Sequence, residues 1–73
     1  MNEFNKALDN MIADIFSGLN ITAEELHTMQ EHWNNSNYSR LHITRAWRDS
    51  SNVLCVAYDD ETWFHYNSKG EWY

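Results

Sequence analysis

Along the N-terminal stretch, Phe4, Leu8, Met11, Ile12, Ile15, Phe16 and Leu19 recur at intervals of three and four. That spacing lines them along one side of a helix of about 3.6 residues per turn. Glu3, Lys6, Asn10, Asp14 and Ser17 fall opposite. Gly18 stands where a left-handed C-cap is expected, so the pattern predicts a first helix over about residues 2 to 17. A second begins at Ile21-Thr22-Ala23-Glu24-Glu25-Leu26. Thr22 and Glu25 have the spacing of a capping box, and Ile21 can staple onto Leu26. This helix is predicted to run to about Trp33 with Leu26, Met29 and Trp33 inward, and to break at Asn34-Asn35-Ser36-Asn37.

From Tyr38 the pattern changes to alternating β-branched and aromatic residues, interrupted by polar clusters at Asp49-Ser50-Ser51-Asn52, Asp59-Asp60-Glu61 and Asn67-Ser68-Lys69-Gly70. Taken as turns, these pair 47 with 54, 45 with 56, 56 with 64, 54 with 66 and 64 with 73. One face then carries Leu41, Ile43, Trp47, Leu54, Val56, Tyr58, Phe64, Tyr66 and Tyr73, with Arg45 at its rim. The other carries His42, Thr44, Ala46, Cys55, Ala57, Trp63, His65 and Trp72. A one-residue slip in any hairpin would exchange the faces. The expected fold is α+β: a single domain over residues 1 to 73, with two N-terminal helices (1–37) packed on one face of a C-terminal three- to four-stranded antiparallel β-meander (38–73). The second sheet face, with Trp63 and Trp72, is left to water or a partner.

Composition sharpens this picture. Seventy-three residues lie near the lower limit for a self-sufficient apolar core. The aromatic content of 15% is the expected source of stability, since each large ring buries roughly 150–250 Å². Cys55 is the single cysteine, so no internal disulfide is available, and the N-terminus lacks the pattern of a secretory signal. The expected compartment is the cytoplasm. No apolar run approaches the roughly 20 residues that span a bilayer.

The net charge is −6. Residues 1–38 hold six acids against Lys6, while residues 39–73 hold five acids against Arg40, Arg45, Arg48 and Lys69, so the helical half is the acidic half. Such a field repels phosphate backbones and anionic lipids and attracts basic partners. Arg40, Arg45, Trp47 and Arg48 interleave basic and aromatic residues as single-strand binders do, but eleven acids outweigh five bases, and no direct nucleic-acid binding is expected.

His27, His32, His42 and His65 with Cys55 raise zinc chemistry, yet the chain has neither CxxC nor HxxxH spacing. Only Cys55 and His65 are predicted cross-strand neighbours, and two ligands do not close a structural site. No metal or cofactor is therefore assigned. The same two residues are the one nucleophile dyad the sequence offers. No catalytic residue is assigned, and the protein is not expected to be an enzyme.

Two surfaces remain as candidate contacts. Trp63, Trp72 and His65 form an aromatic patch, and Trp and Tyr dominate interface energetics. Glu24 and Glu31 share a side of the second helix, and Glu3 and Asp14 a side of the first; together they could imitate a phosphate ladder. The segment Trp63-Phe64-His65-Tyr66-Asn67-Ser68-Lys69-Gly70-Glu71-Trp72-Tyr73 also resembles the aromatic hairpin of cell-wall and choline-binding repeats. The likeness covers eleven residues, occurs once and lacks the flanking Gly-Trp, and it is read as convergence on a stable hairpin.

The expected function is that of a small acidic, non-enzymatic protein-binding module. An inhibitor carried by a phage or mobile element, blocking a host nucleic-acid enzyme through a basic or apolar cleft, is the concrete form. The alternative is a structural homodimer closed by the aromatic sheet face, and a zinc-binding or Cys-His enzyme comes third.

Overall fold

The computed structural model describes residues 13–73. The predicted first helix falls largely outside them; residues 13–15 are helical, and the chain turns at Gly18 with φ 80°. Helix α1 (Ala23–Asn34) follows. A single 3-10 turn at Arg40–His42 leads into strands β1 (Ile43–Arg48), β2 (Leu54–Tyr58) and β3 (Trp63–Tyr66). The strands form one antiparallel sheet in the order β1-β2-β3, giving an α+β architecture with α1 laid on one sheet face.

The start of α1 is the capping box that its residues dictate. Glu25 N–H donates to Thr22 Oγ1 (3.1 Å), and Thr22 N–H donates to Glu25 Oε1 (3.0 Å). Met29 is buried and Trp33 packs against the core as expected, but Leu26 is 42% exposed, and Glu25, Thr28 and His32 face the sheet in its stead. Two polar anchors turn the helix this way. The Thr28 hydroxyl donates to the Asn67 carbonyl (2.7 Å), and Glu25 forms a two-pronged ion pair with Arg48 of β1. Arg48 also donates to the carbonyls of Leu19 and Asn20, so one guanidinium ties the sheet edge to the entry of α1.

Three hairpin turns of one design set the register. Asp49 N–H donates to Val53 O, Tyr58 N–H to Thr62 O and Asn67 N–H to Glu71 O, each closing three residues whose last is left-handed. Those residues are Asn52 (φ 66°), Glu61 (φ 70°) and Gly70 (φ 85°), nine positions apart. A three-residue hairpin ending in a left-handed residue is a common solution to the right-handed twist of paired strands. The expected β2–β3 pairing, 54 with 66 and 56 with 64, is present.

The expected β1–β2 pairing is displaced by one. Ile43 pairs with Tyr58 in the expected frame, but an irregularity between Ile43 and Arg45 shifts the ladder to Ala46–Val56, Trp47–Cys55 and Arg48–Leu54. The bulge reconciles an inward Ile43 with the register that the Asn52 turn imposes. At the other end Tyr66 pairs with Trp72, and His65 with Tyr73, in place of 64 with 73. Both slips exchange faces. Ala46, Arg48 and Trp72 join the helix side, and Trp47, Arg45 and Tyr73 leave it.

The core comprises Met29, Ile43, Leu54, Val56, Tyr58 and Tyr66, with Ile15, Phe16, Trp33, Phe64 and Trp72 packed around it. At its centre lies a chain of polar groups. Trp33 Nε1–H donates to Tyr58 Oη (3.0 Å), the Tyr58 and Tyr66 hydroxyls are hydrogen-bonded, and Tyr66 Oη lies 2.7 Å from His32 Nδ1. An indole nitrogen only donates, and when every hydroxyl hydrogen is used within the chain Tyr58 donates to Tyr66 and Tyr66 donates to an unprotonated Nδ1. In that arrangement His32 is neutral.

Burial among Tyr38, Phe64, Tyr66 and Trp72 likewise holds the His32 pKa below its ordinary 6.5. A lowered pKa in the folded state means that the unfolded chain binds the proton more tightly. His32 thus favours folding fully above pH 6.5, and that stability drains away as pH falls toward the folded-state pKa. Denaturant melts between pH 7.5 and 5.5 are expected to show declining stability, and His32→Gln is expected to flatten the decline; an equal slope in both proteins would refute the assignment.

Candidate functional site

Strand alternation sends Arg45, Trp47, Cys55, Ala57, Trp63 and His65 to the sheet face opposite α1, where Tyr73 joins them. Their rings form a continuous ladder across the strands. Trp47 and Trp63 lie 5.4 Å apart between centroids, Trp63 and His65 5.0 Å, and His65 and Tyr73 stack at 4.5 Å with 10° between planes. The Arg45 guanidinium sits 4.6 Å over the Trp47 ring and ends the series. Contacts of this type each contribute roughly 0.5–1.5 kcal/mol beyond area burial, so the ladder is a preordered surface and not a set of loose side chains.

Its outer surface is open. Trp63 is 51% and Tyr73 61% exposed, both unusual for large rings. Among the described residues, the elements that pack on the sheet lie on the other face.

Of the residues singled out from the sequence, Trp63 and His65 are on this face. Trp72 is not: the shifted final pairing turns it to the helix side, where it stacks on His32 at 5.2 Å. Its place is taken by Tyr73, and Trp47 and Arg45 are the further members that the expected register concealed. Glu24 and Glu31 are exposed on the outer side of α1, and Asp14 is exposed before it; Glu3 lies outside the described residues. His27 stands between the two helix acids and lies 3.7 Å from Glu31. Lys69 shares a surface hollow with Glu24 and His27, so a cation interrupts the acidic surface.

Beneath one end of the ladder, Asp49, Cys55 and His65 converge, with one ligand atom of each within 4.8 Å of the others. Cys55 and His65 are cross-strand partners, as expected. Asp49 is the addition, carried in by the first hairpin turn. Its Oδ1 accepts from Ser51 N–H (2.8 Å) and Val53 N–H (2.9 Å), which leaves Oδ2 facing His65 Nε2 at 3.5 Å. The backbone N–H of Val53, chiefly, holds the Asp49 carboxyl below its ordinary pKa, so it is an anion. Its Asx-turn role is legible in the local sequence, but its approach to His65 depends on strand register.

The arrangement does not suit nucleophilic catalysis. Cys55 is 0% exposed, and burial pushes its thiol pKa up, opposite to the activation a nucleophile needs. Comparisons with protein families, with curated proteins and with solved structures find no match. Among the described residues, no helix is long and apolar enough to cross a membrane.

Proposed function

We propose that the protein is a non-enzymatic binding module whose contact surface is the ring ladder of Trp47, Trp63, His65 and Tyr73. The observation that carries this reading is an ordered aromatic strip on an open sheet face, with two rings more than half exposed in a 73-residue chain whose small core draws on many of its other rings. Rigid Trp and Tyr side chains lose little entropy on contact and recur at interface hot spots. The partner is a protein that offers apolar side chains within a basic surround, because a net charge of −6 attracts cations and repels phosphate backbones. An inhibitor of a host enzyme is one such module. The finer architecture belongs to the same proposal: a helix over about residues 2 to 17 lies beside α1, its apolar stripe meeting the groove lined by Ile21, Leu26, Met29 and Trp33.

The test is capture from lysate of the source organism at low and high salt, with the chain and its Trp63→Ala/Tyr73→Ala variant compared. Capture of one partner is expected to fall at least tenfold in the variant while its circular dichroism stays native, since both rings are exposed. Undiminished capture by the variant would overturn the reading. If capture is instead lost to salt and to Glu24→Lys/Glu31→Lys, the acidic side of α1 makes the contact. A dimer found by sedimentation and dissolved by the same double variant would identify the partner as a second copy.

A further inference from the structure

We infer that Asp49, Cys55 and His65 form a site for one zinc-class divalent cation. The inference shares His65 with the ring ladder but does not depend on the binding proposal; it rests on how the three side chains are held. His65 Nδ1 lies 3.2 Å from the main-chain oxygen of Tyr73, which can only accept, so Nδ1–H donates there and Nε2 is the ring atom turned to the cluster. Nε2 faces Asp49 Oδ2 at 3.5 Å, longer than an ordinary hydrogen bond. One ligand atom each of Asp49, His65 and Cys55 lies within 4.8 Å of the others, a span that one ion can bridge.

The supports around these atoms are those of a metal centre. Ligating histidines usually donate their second N–H to a carbonyl or carboxylate, as His65 does to Tyr73. Ligating carboxylates are themselves hydrogen-bonded, and Asp49 Oδ1 is fixed by two backbone N–H groups. Bonds of about 2.0–2.3 Å in a tetrahedral site place ligand atoms roughly 3.3–3.8 Å apart, so separations of up to 4.8 Å close with inward movement of about 1 Å or less.

The donor set selects the ion. One thiolate, one imidazole and one carboxylate suit zinc and its borderline neighbours, whereas calcium and magnesium require oxygen donors. On binding, the Cys55 S–H bond breaks, the proton passes to solvent, and a sulfur–metal bond forms. Water supplies the fourth ligand. All three side chains come from the β1–β2 turn and the two strands β2 and β3, so the ion would also cross-link both hairpins.

Titration of the full chain with Co²⁺ under a non-thiol reductant tests this. The expected result is a thiolate-to-cobalt charge-transfer band with intense tetrahedral visible bands, saturating at one ion per chain and displaced by Zn²⁺. Asp49→Asn retains the oxygen that accepts from Ser51 and Val53, and His65→Gln changes a partly exposed position, so both variants should fold. Each is expected to weaken binding at least ~10-fold, the lower bound for losing even a supporting group. Zn²⁺ is expected to raise the melting temperature of the parent chain and to leave that of His65→Gln unchanged. Absence of the thiolate band, or affinities unchanged in both variants, would overturn the site; the latter result would assign any bound ion to the exposed His27–Glu31 pair.

Discussion

Replacing Arg48 with alanine is expected to destabilise the protein by about 3–5 kcal/mol, the range for removing one partner of a buried ion pair. Small domains have a total stability of roughly 0.05–0.15 kcal/mol per residue, so much of this chain should be unfolded at 25 °C. The expectation follows from what Arg48 leaves behind. Glu25 is almost wholly enclosed, and the guanidinium beside it, foremost, lowers its pKa from 4.5 to about 2. A lowered pKa of this kind marks a site that favours the ionised carboxylate, the charge that Arg48→Ala would leave without its partner.

The loss should extend beyond the charge, because the same guanidinium also holds the Leu19 and Asn20 carbonyls at the entry of α1. Glu25→Gln keeps the capping side chain while it removes the charge. In that background Arg48→Ala should cost at least 1 kcal/mol less, and a double-mutant cycle by urea unfolding measures the difference. Strict additivity would show that the pair is not the source of the stability. The acid limb gives a second signature. A depressed carboxyl pKa contributes stability that is complete above pH 4.5 and is lost as pH falls toward about 2, a window well below the one assigned to His32.

Tyr66→Phe removes one buried oxygen and is expected to cost about 2–4 kcal/mol. The Tyr66 hydroxyl bridges the Tyr58 hydroxyl and His32 Nδ1, so its removal leaves two buried polar groups without this partner, each worth roughly 1–3 kcal/mol. Tyr38→Phe is the control. That hydroxyl donates to Asp60 Oδ2 at the exposed end of the sheet, where water can replace the partner, and a change below about 1 kcal/mol is expected. Equal effects in the two variants, measured by chemical denaturation, would dissolve the argument that the Trp33-Tyr58-Tyr66-His32 chain is a satisfied network. If the network does hold, Tyr66→Phe should also alter the pH dependence carried by His32, because its Nδ1 loses the hydroxyl that rewards the neutral ring.

Local chemistry was enough to determine several features of this protein. Thr22 and Glu25 mark the start of α1, Gly18 the left-handed turn before it, and the polar clusters the three hairpins, because each depends on residues within a few positions of one another. The β2–β3 register was legible for the same reason.

Tertiary structure decided which side of each element is inside. The pattern of α1 favoured Leu26 as a core residue, but long-range partners for Glu25, Thr28 and His32 turned the helix by its polar residues. In β1 the apolar alternation pointed Trp47 inward. The Asn52 turn required a register one residue away, and a bulge after Ile43 absorbed the difference. A period of two makes such a slip a complete exchange of faces, which packed Trp72 against the core and brought Trp47 and Tyr73 to the open ladder. It also set Asp49 beside Cys55 and His65, a meeting that arises only where two hairpins share the central strand.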